Sequence, residues 1–98
     1  MPKIVADGQV VVVPLFNSWN VGLTVRPDAG ATTRVEFTFS SRADVEADMA
    51  KQPADADACL WDDWAHGPVT AKQSDVFDAK IAALRITSTG GASKFEVR

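Results

Sequence analysis

The run Ala79-Lys80-Ile81-Ala82-Ala83-Leu84-Arg85-Ile86-Thr87-Ser88-Thr89-Gly90-Gly91-Ala92-Ser93-Lys94-Phe95-Glu96-Val97-Arg98 decides how this chain is read. Two alternating segments flank a Gly-Gly pair, the pattern of a tight β-hairpin. Glycine suits both central positions, because a type I′ turn needs φ > 0 at each. A loop of Gly90 and Gly91 alone sets Ile86 opposite Phe95 and Leu84 opposite Val97 on one face. It sets Arg85 opposite Glu96 and Thr87 opposite Lys94 on the other. The apolar pairs and the charge pair fall into register together, and a slip of one residue destroys both matches. The expectation is a closing hairpin with an Arg85–Glu96 cross-strand pair.

Upstream, the same alternation recurs. Val21, Leu23 and Val25 alternate with Gly22, Thr24 and Arg26, and Val35, Phe37 and Phe39 alternate with Arg34, Glu36 and Thr38. With a Pro27-Asp28-Ala29-Gly30 turn between them, these segments predict a second hairpin, Leu23 facing Phe37. The polar row Arg34, Glu36, Thr38 reads as a solvated face. Residues 9–16 hold four consecutive valines, a strand signal by β-branching. Pro14 cannot donate to a ladder and puts this strand at a sheet edge, or ends it. Its unbroken apolar run calls for cover on both faces, from the core or from a neighbouring subunit. Residues 1–8 read as a short N-terminal arm, and Asn17-Ser18 as a turn.

Ser41 followed by Asp44 has capping-box spacing, and Val45 and Met49 share a helical face. Residues 42–51 are therefore expected as a short helix, stopped by Pro53, with residues 53–57 an exposed connection. Residues 58–64 and 69–73 read as strands and residues 74–78 as an irregular loop. About seven short strands at this spacing, with one short helix, predict an all-β, antiparallel β-sandwich, jelly-roll or immunoglobulin-like in strand order.

At 98 residues the chain is expected to form a single domain, residues 1–98, and 46% hydrophobic content is that of a packed protein. A net charge of −3, with ten scattered basic residues, speaks against a nucleic-acid partner. A single cysteine, Cys59, forbids an internal disulfide. Its acidic neighbours Asp57, Asp62 and Asp63 would raise a thiol pKa, so a small buried hydrophobe is expected there. The apolar run around Val10 is too short for a membrane span and lacks the flanks of a signal peptide. No membrane partner is expected, and synthesis in a bacterial cytoplasm is.

The cluster Cys59-Leu60-Trp61-Asp62-Asp63-Trp64-Ala65-His66 gathers two of the three tryptophans and the only histidine. Adjacent carboxylates on a strand point to opposite faces, so Asp62, Asp63 and His66 converge poorly on an ion. Catalysis would need His66 as a base, and no nucleophile motif, phosphate loop or dinucleotide fingerprint accompanies it. No catalytic, cofactor or metal residue is therefore expected. Trp61 and Trp64 lie three positions apart and face opposite sides of a strand. They suit a protein contact or the stacking of a sugar. With Val10 and Val12 they are the candidate interface residues.

The runs Trp61-Asp62-Asp63-Trp64, Gly67-Pro68-Val69-Thr70 and Ala82 to Gly91 resemble small structural proteins of tailed bacteriophages, over about the last forty residues. That resemblance implies a non-enzymatic virion protein on the capsid surface. It would decorate or cement the capsid by burying surface against the major capsid protein, other virion proteins or copies of itself as a homo-oligomer. The alternative is a carbohydrate-binding or host-attachment module of a phage tail or fibre, with Trp61 or Trp64 exposed beside Asp62 or Asp63. A third reading, an enzyme subunit or inhibitor, requires a cleft at His66.

Overall fold

The computed structural model describes residues 2–52 and 55–98. Its elements run β1 (Lys3–Val5), β2 (Val10–Ser18), β3 (Val21–Pro27), β4 (Thr32–Thr38), α1 (Arg42–Ala50), β5 (Trp61–Asp63), β6 (Gln73–Phe77), β7 (Ile81–Thr89) and β8 (Ser93–Val97). The expected all-β sandwich is present, as two four-stranded antiparallel sheets in the orders β1-β8-β3-β6 and β2-β7-β4-β5. We call these the first and second sheets.

The pairs β1·β8, β2·β7, β3·β6 and β4·β5 are those of one long hairpin folded at its middle. Rolling that hairpin adds β3·β8 and β4·β7. This is jelly-roll topology, not the immunoglobulin-like order. The tip of the rolled hairpin is the connection from β4 through α1 to β5.

Both expected hairpins are instead arches between sheets. β7 and β8 lie in different sheets, and so do β3 and β4. Ile86 pairs with Val11 and Val35 rather than with Phe95, and Arg85 pairs with Val12 and Glu36 rather than with Glu96. Leu23 neighbours Asp75 and Val97, not Phe37. The apolar rows do face one another, but across the core and not along a ladder.

The Gly90-Gly91 pair serves that crossing. Gly90 has φ 75° and Gly91 φ 150°, the second far from a type I′ value. A Cβ on Gly90 would come within 2.8 Å of the Gly30 carbonyl oxygen, so the two arches pack together only through glycine. The Asp28 N–H donates to the Ala92 carbonyl at 3.0 Å and ties one arch to the other. Beneath them Thr33 donates to Ser93 at 2.6 Å, Ser93 meets Ser88 at 2.7 Å, and Ser88 donates to the Gly91 carbonyl at 2.6 Å. Thr33, Ser88 and Ser93 are fully buried, and this hydroxyl chain satisfies them.

The main core lies between the sheets and holds Val5, Val21, Leu23, Val25, Val35, Trp64, Phe77, Ile81, Leu84, Ile86 and Phe95. A second, smaller cluster lies outside the second sheet, where Val45 of α1 meets Cys59, Ala82, Ala83, Val12 and Trp61. Three of the four valines of β2 are covered as their run demands, Val11 and Val13 on the core and Val12 under the helix, while Val10 stays exposed. β2 is an edge strand, in keeping with Pro14, and it passes through an irregularity between Pro14 and Ser18 with Phe16 at φ 47°. The turn after it falls at Trp19 and Asn20, not at Asn17-Ser18.

Other local expectations need correction. Of the expected arm, residues 3–5 form β1, and Val5 is fully buried in the core; Met1 lies outside the described residues. Residues 69–72 give only an isolated bridge from Val69 to Thr33, and the strand begins at Gln73, the last residue of the expected one, as β6. β6 escaped notice because an edge strand with Ser74, Asp75 and Val76 all exposed shows no apolar alternation. Ser41 does cap α1, its hydroxyl accepting the Asp44 N–H at 3.3 Å. The inward face of α1 is Val45 and Asp48, while Met49 is exposed. Pro53, the expected stop, lies outside the described residues, as does Ala54 of the expected connection.

Candidate functional site

The outward side chains of the second sheet form a grid. One row reads Val10, Thr87, Arg34; the next Val12, Arg85, Glu36, Asp63; the third Pro14, Ala83, Thr38, Trp61. α1 and the segment after it roof the third row and part of the second. The uncovered part is a groove of about 780 Å³ whose rim includes Val10, Met49, Asp55 and Thr87. The expectation of a solvated Arg34, Glu36, Thr38 row therefore holds at Arg34 alone. Glu36 and Thr38 are buried, Thr38 donating to the Leu60 carbonyl at 2.9 Å.

Arg85 is the centre of this face. Its guanidinium donates to both Glu36 carboxylate oxygens, at 2.9 and 2.8 Å, and to Asp57 Oδ1 at 2.9 Å. It also lies 4.6 Å above the Trp61 ring. A fork of N–H groups matched to a carboxylate, with an aromatic plate beneath, is what arginine offers and lysine does not. Arg34 extends the network to Asp63 at 3.0 Å and Glu36 at 3.7 Å, and Lys51 extends it by a short ion pair to Asp57.

Asp48 holds the roof in place. Its carboxylate accepts the Ala58 N–H at 2.7 Å, the Cys59 N–H at 3.0 Å and the Trp61 indole N–H at 2.9 Å. Burial by itself would raise its pKa. The backbone N–H groups of Ala58 and Cys59, with the indole, outweigh burial and hold it down at about 2. The neighbouring Cys59 thiol moves the other way, to about 11, because it is buried and faces that carboxylate. It is a small buried hydrophobe, as expected, and stays protonated at neutral pH.

Of the expected interface residues, Val10 is 53% exposed on the groove rim and Val12 is half-buried beside the helix. Trp61 is half-buried, pinned by Asp48 and covered on one face by Arg85. Trp64 must be corrected: it is 5% exposed and stacks on Phe77 in the main core, which leaves no surface for a partner. The two tryptophans do part to opposite sides, as their spacing requires. Three of the four residues thus converge on the second sheet's outer side, and the fourth supports it from within.

The metal and catalytic candidates do not meet one another. Asp63 turns to Arg34, His66 contacts Asp75 at 2.6 Å, and Asp62 is exposed. The His66 contact lowers the Asp75 pKa. Among the described residues no group of three metal-type ligands converges, and no buried side-chain nitrogen or oxygen lacks a partner.

Sequence reasoning missed Asp48 and the partners of Arg85. The i, i+3 spacing of Val45 and Asp48 places both on one helical face, and that is the local signal that points to Asp48. Glu36 and Asp57 are far from Arg85 in sequence, and nothing local joins them. Among the described residues no helix is long and apolar enough to cross a membrane. No protein-family model matches the chain, and a search of curated proteins finds no match.

Proposed function

We propose that this chain is a non-enzymatic phage virion protein that decorates or cements the capsid, with the open half of the second sheet's outer face as its contact surface. The observation that carries the reading is the pairing of exposed apolar groups with a fixed polar frame. Val10 and Met49 are about half exposed, at 53% and 49%, beside an Arg85 whose guanidinium is already committed to two carboxylates and an indole. A rigid frame around apolar anchors keeps the entropy cost of docking low. Jelly rolls serve as viral capsid domains and as lectins, an analogy of fold that is compatible with this reading. Many copies on a capsid would add modest contacts into a firm attachment.

The test is co-sedimentation of the purified protein with capsids, alongside its mass by light scattering, for the native chain and for Val10→Lys with Met49→Lys. Both side chains are exposed, so the doubly substituted protein should fold. Val12→Lys would not serve, because Val12 packs under α1. Occupancy lost in the variant, with melting unchanged, supports the proposal. A native chain that neither binds capsids nor self-associates rejects it. The glycan alternative loses its expected platform at Trp64, which is buried, and on the Trp61 face that Arg85 covers.

A further inference from the structure

The first sheet's outer face carries no helix, and its charges are placed differently. Lys94 and Arg26 are cross-strand partners, and Lys72 directly precedes Gln73, the partner of Val25. Three cations therefore stand in one row across β8, β3 and the start of β6. All three are exposed and line one trough of about 750 Å³. Among the described residues, none of the three has a carboxylate within ion-pair distance. Like charges placed opposite one another work against a sheet. This row occurs in a chain whose net charge is −3.

The rest of the trough differs from the row. Its floor is Gly22 and Thr24, with the Thr24 and Ser74 hydroxyls in contact at 2.8 Å. Its sides are Val76, Asp75 and Glu96, the last held by Arg98 at 2.5 Å. Gly22 to Arg26 runs along β3 for roughly 14 Å, the length of about four extended residues. A polymer charged along its whole length would find counter-charges only at the row, because Glu96 is already paired with Arg98 and the Asp75 side chain turns to His66. A ligand with carboxylates at one end, and neutral N–H groups and small apolar side chains beyond, meets complementary groups throughout.

We infer that this trough is a docking site for an extended protein segment with an acidic end, its carboxylates on Lys94, Arg26 and Lys72 and its neutral part over Thr24, Ser74 and Val76. The site lies on the face opposite the proposed capsid contact and stands whether or not the protein belongs to a particle.

The experiment titrates the full chain, followed by two-dimensional NMR, with an octapeptide bearing three aspartates at one end and neutral residues elsewhere. The expected result is saturable binding, with shifts confined to residues 22–26, 72–76 and 94–98. It should weaken as salt rises from about 50 to about 300 mM. Arg26→Glu with Lys94→Glu should weaken it by roughly tenfold or more, about 1.4 kcal/mol. Arg42→Glu, on α1 and paired with Glu46 at 3.4 Å, should leave it within about twofold. No saturable binding at low salt overturns the proposal. So does an equal loss with Arg42→Glu, which would show a net-charge effect only. Tighter binding of a heparin tetrasaccharide or of oligothymidine than of the peptide overturns it too, in favour of a uniform polyanion.

Discussion

The two outer faces of this sandwich solve opposite problems with similar residues. On the second sheet, Arg85 and Arg34 are matched to Glu36, Asp57 and Asp63, and a helix roofs much of the network. On the first sheet, Lys94, Arg26 and Lys72 stand side by side in the open. The first arrangement is spent on holding the chain together. The second does nothing for the fold and slightly opposes it. Charge that a protein satisfies internally stabilises structure, and charge it leaves uncompensated is available for recognition.

Substitutions on the two faces should therefore differ in sign as well as size. The largest effect is expected at the covered network. Arg85→Ala leaves Glu36 buried with only Arg34, at 3.7 Å, and uncovers Trp61, and should cost about 3 kcal/mol in urea unfolding. Replacing both partners, as Arg85→Met with Glu36→Leu, should recover most of that loss, because a buried pair repays its desolvation poorly. If the double variant is no better than the single one, the network does more than compensate its own burial.

Asp48→Asn should come next, at about 2 kcal/mol, since it weakens a carboxylate that accepts three N–H groups. The same residue sets a pH dependence. Its folded pKa of about 2 lies below that of an ordinary aspartate, so its contribution is fully present above about pH 4. That contribution, about 2 kcal/mol, is lost as pH falls toward 2. In Asp48→Asn this part of the acid destabilisation should be missing, which denaturant midpoints between pH 5 and pH 2 would show.

The smallest effect should have the opposite sign. Arg26→Glu turns a like-charge neighbour of Lys94 into an opposite-charge one, and should raise stability by about 0.5 kcal/mol. Lys80→Glu, an exposed change outside the row, should not stabilise. If Arg26→Glu proves destabilising, the row has a structural role and the contrast between the faces fails.

Much of the local character was legible in the residues. Alternation marked β3, β4, β7 and β8, Pro14 marked an edge strand, and the Ser41 cap began α1 where it was expected. Cys59 was readable as buried, and the spacing of Trp61 and Trp64 placed them on opposite sides. Val10 and Trp61 were readable as candidates, but their meeting on one face with Arg85 was not. That meeting depends on Glu36 and Asp57, which approach Arg85 only when β4 and the segment before β5 close over β7.

The sequence by itself determined which faces of β3, β4, β7 and β8 are apolar, the turns after β3 and after β7, and where the helix begins. These follow from side-chain period and backbone preference, which act over a few residues. It did not determine whether two apolar rows joined by a short turn lie side by side in one sheet or face each other across the core. Adjacent strands lie about 5 Å apart and packed sheets about 10 Å, and the residues between Thr89 and Ser93 can span either distance. Only the tertiary structure decided for the arch. There the Gly30 carbonyl needs the space at Gly90, and Thr33, Ser88 and Ser93 complete one another's hydrogen bonds between the sheets.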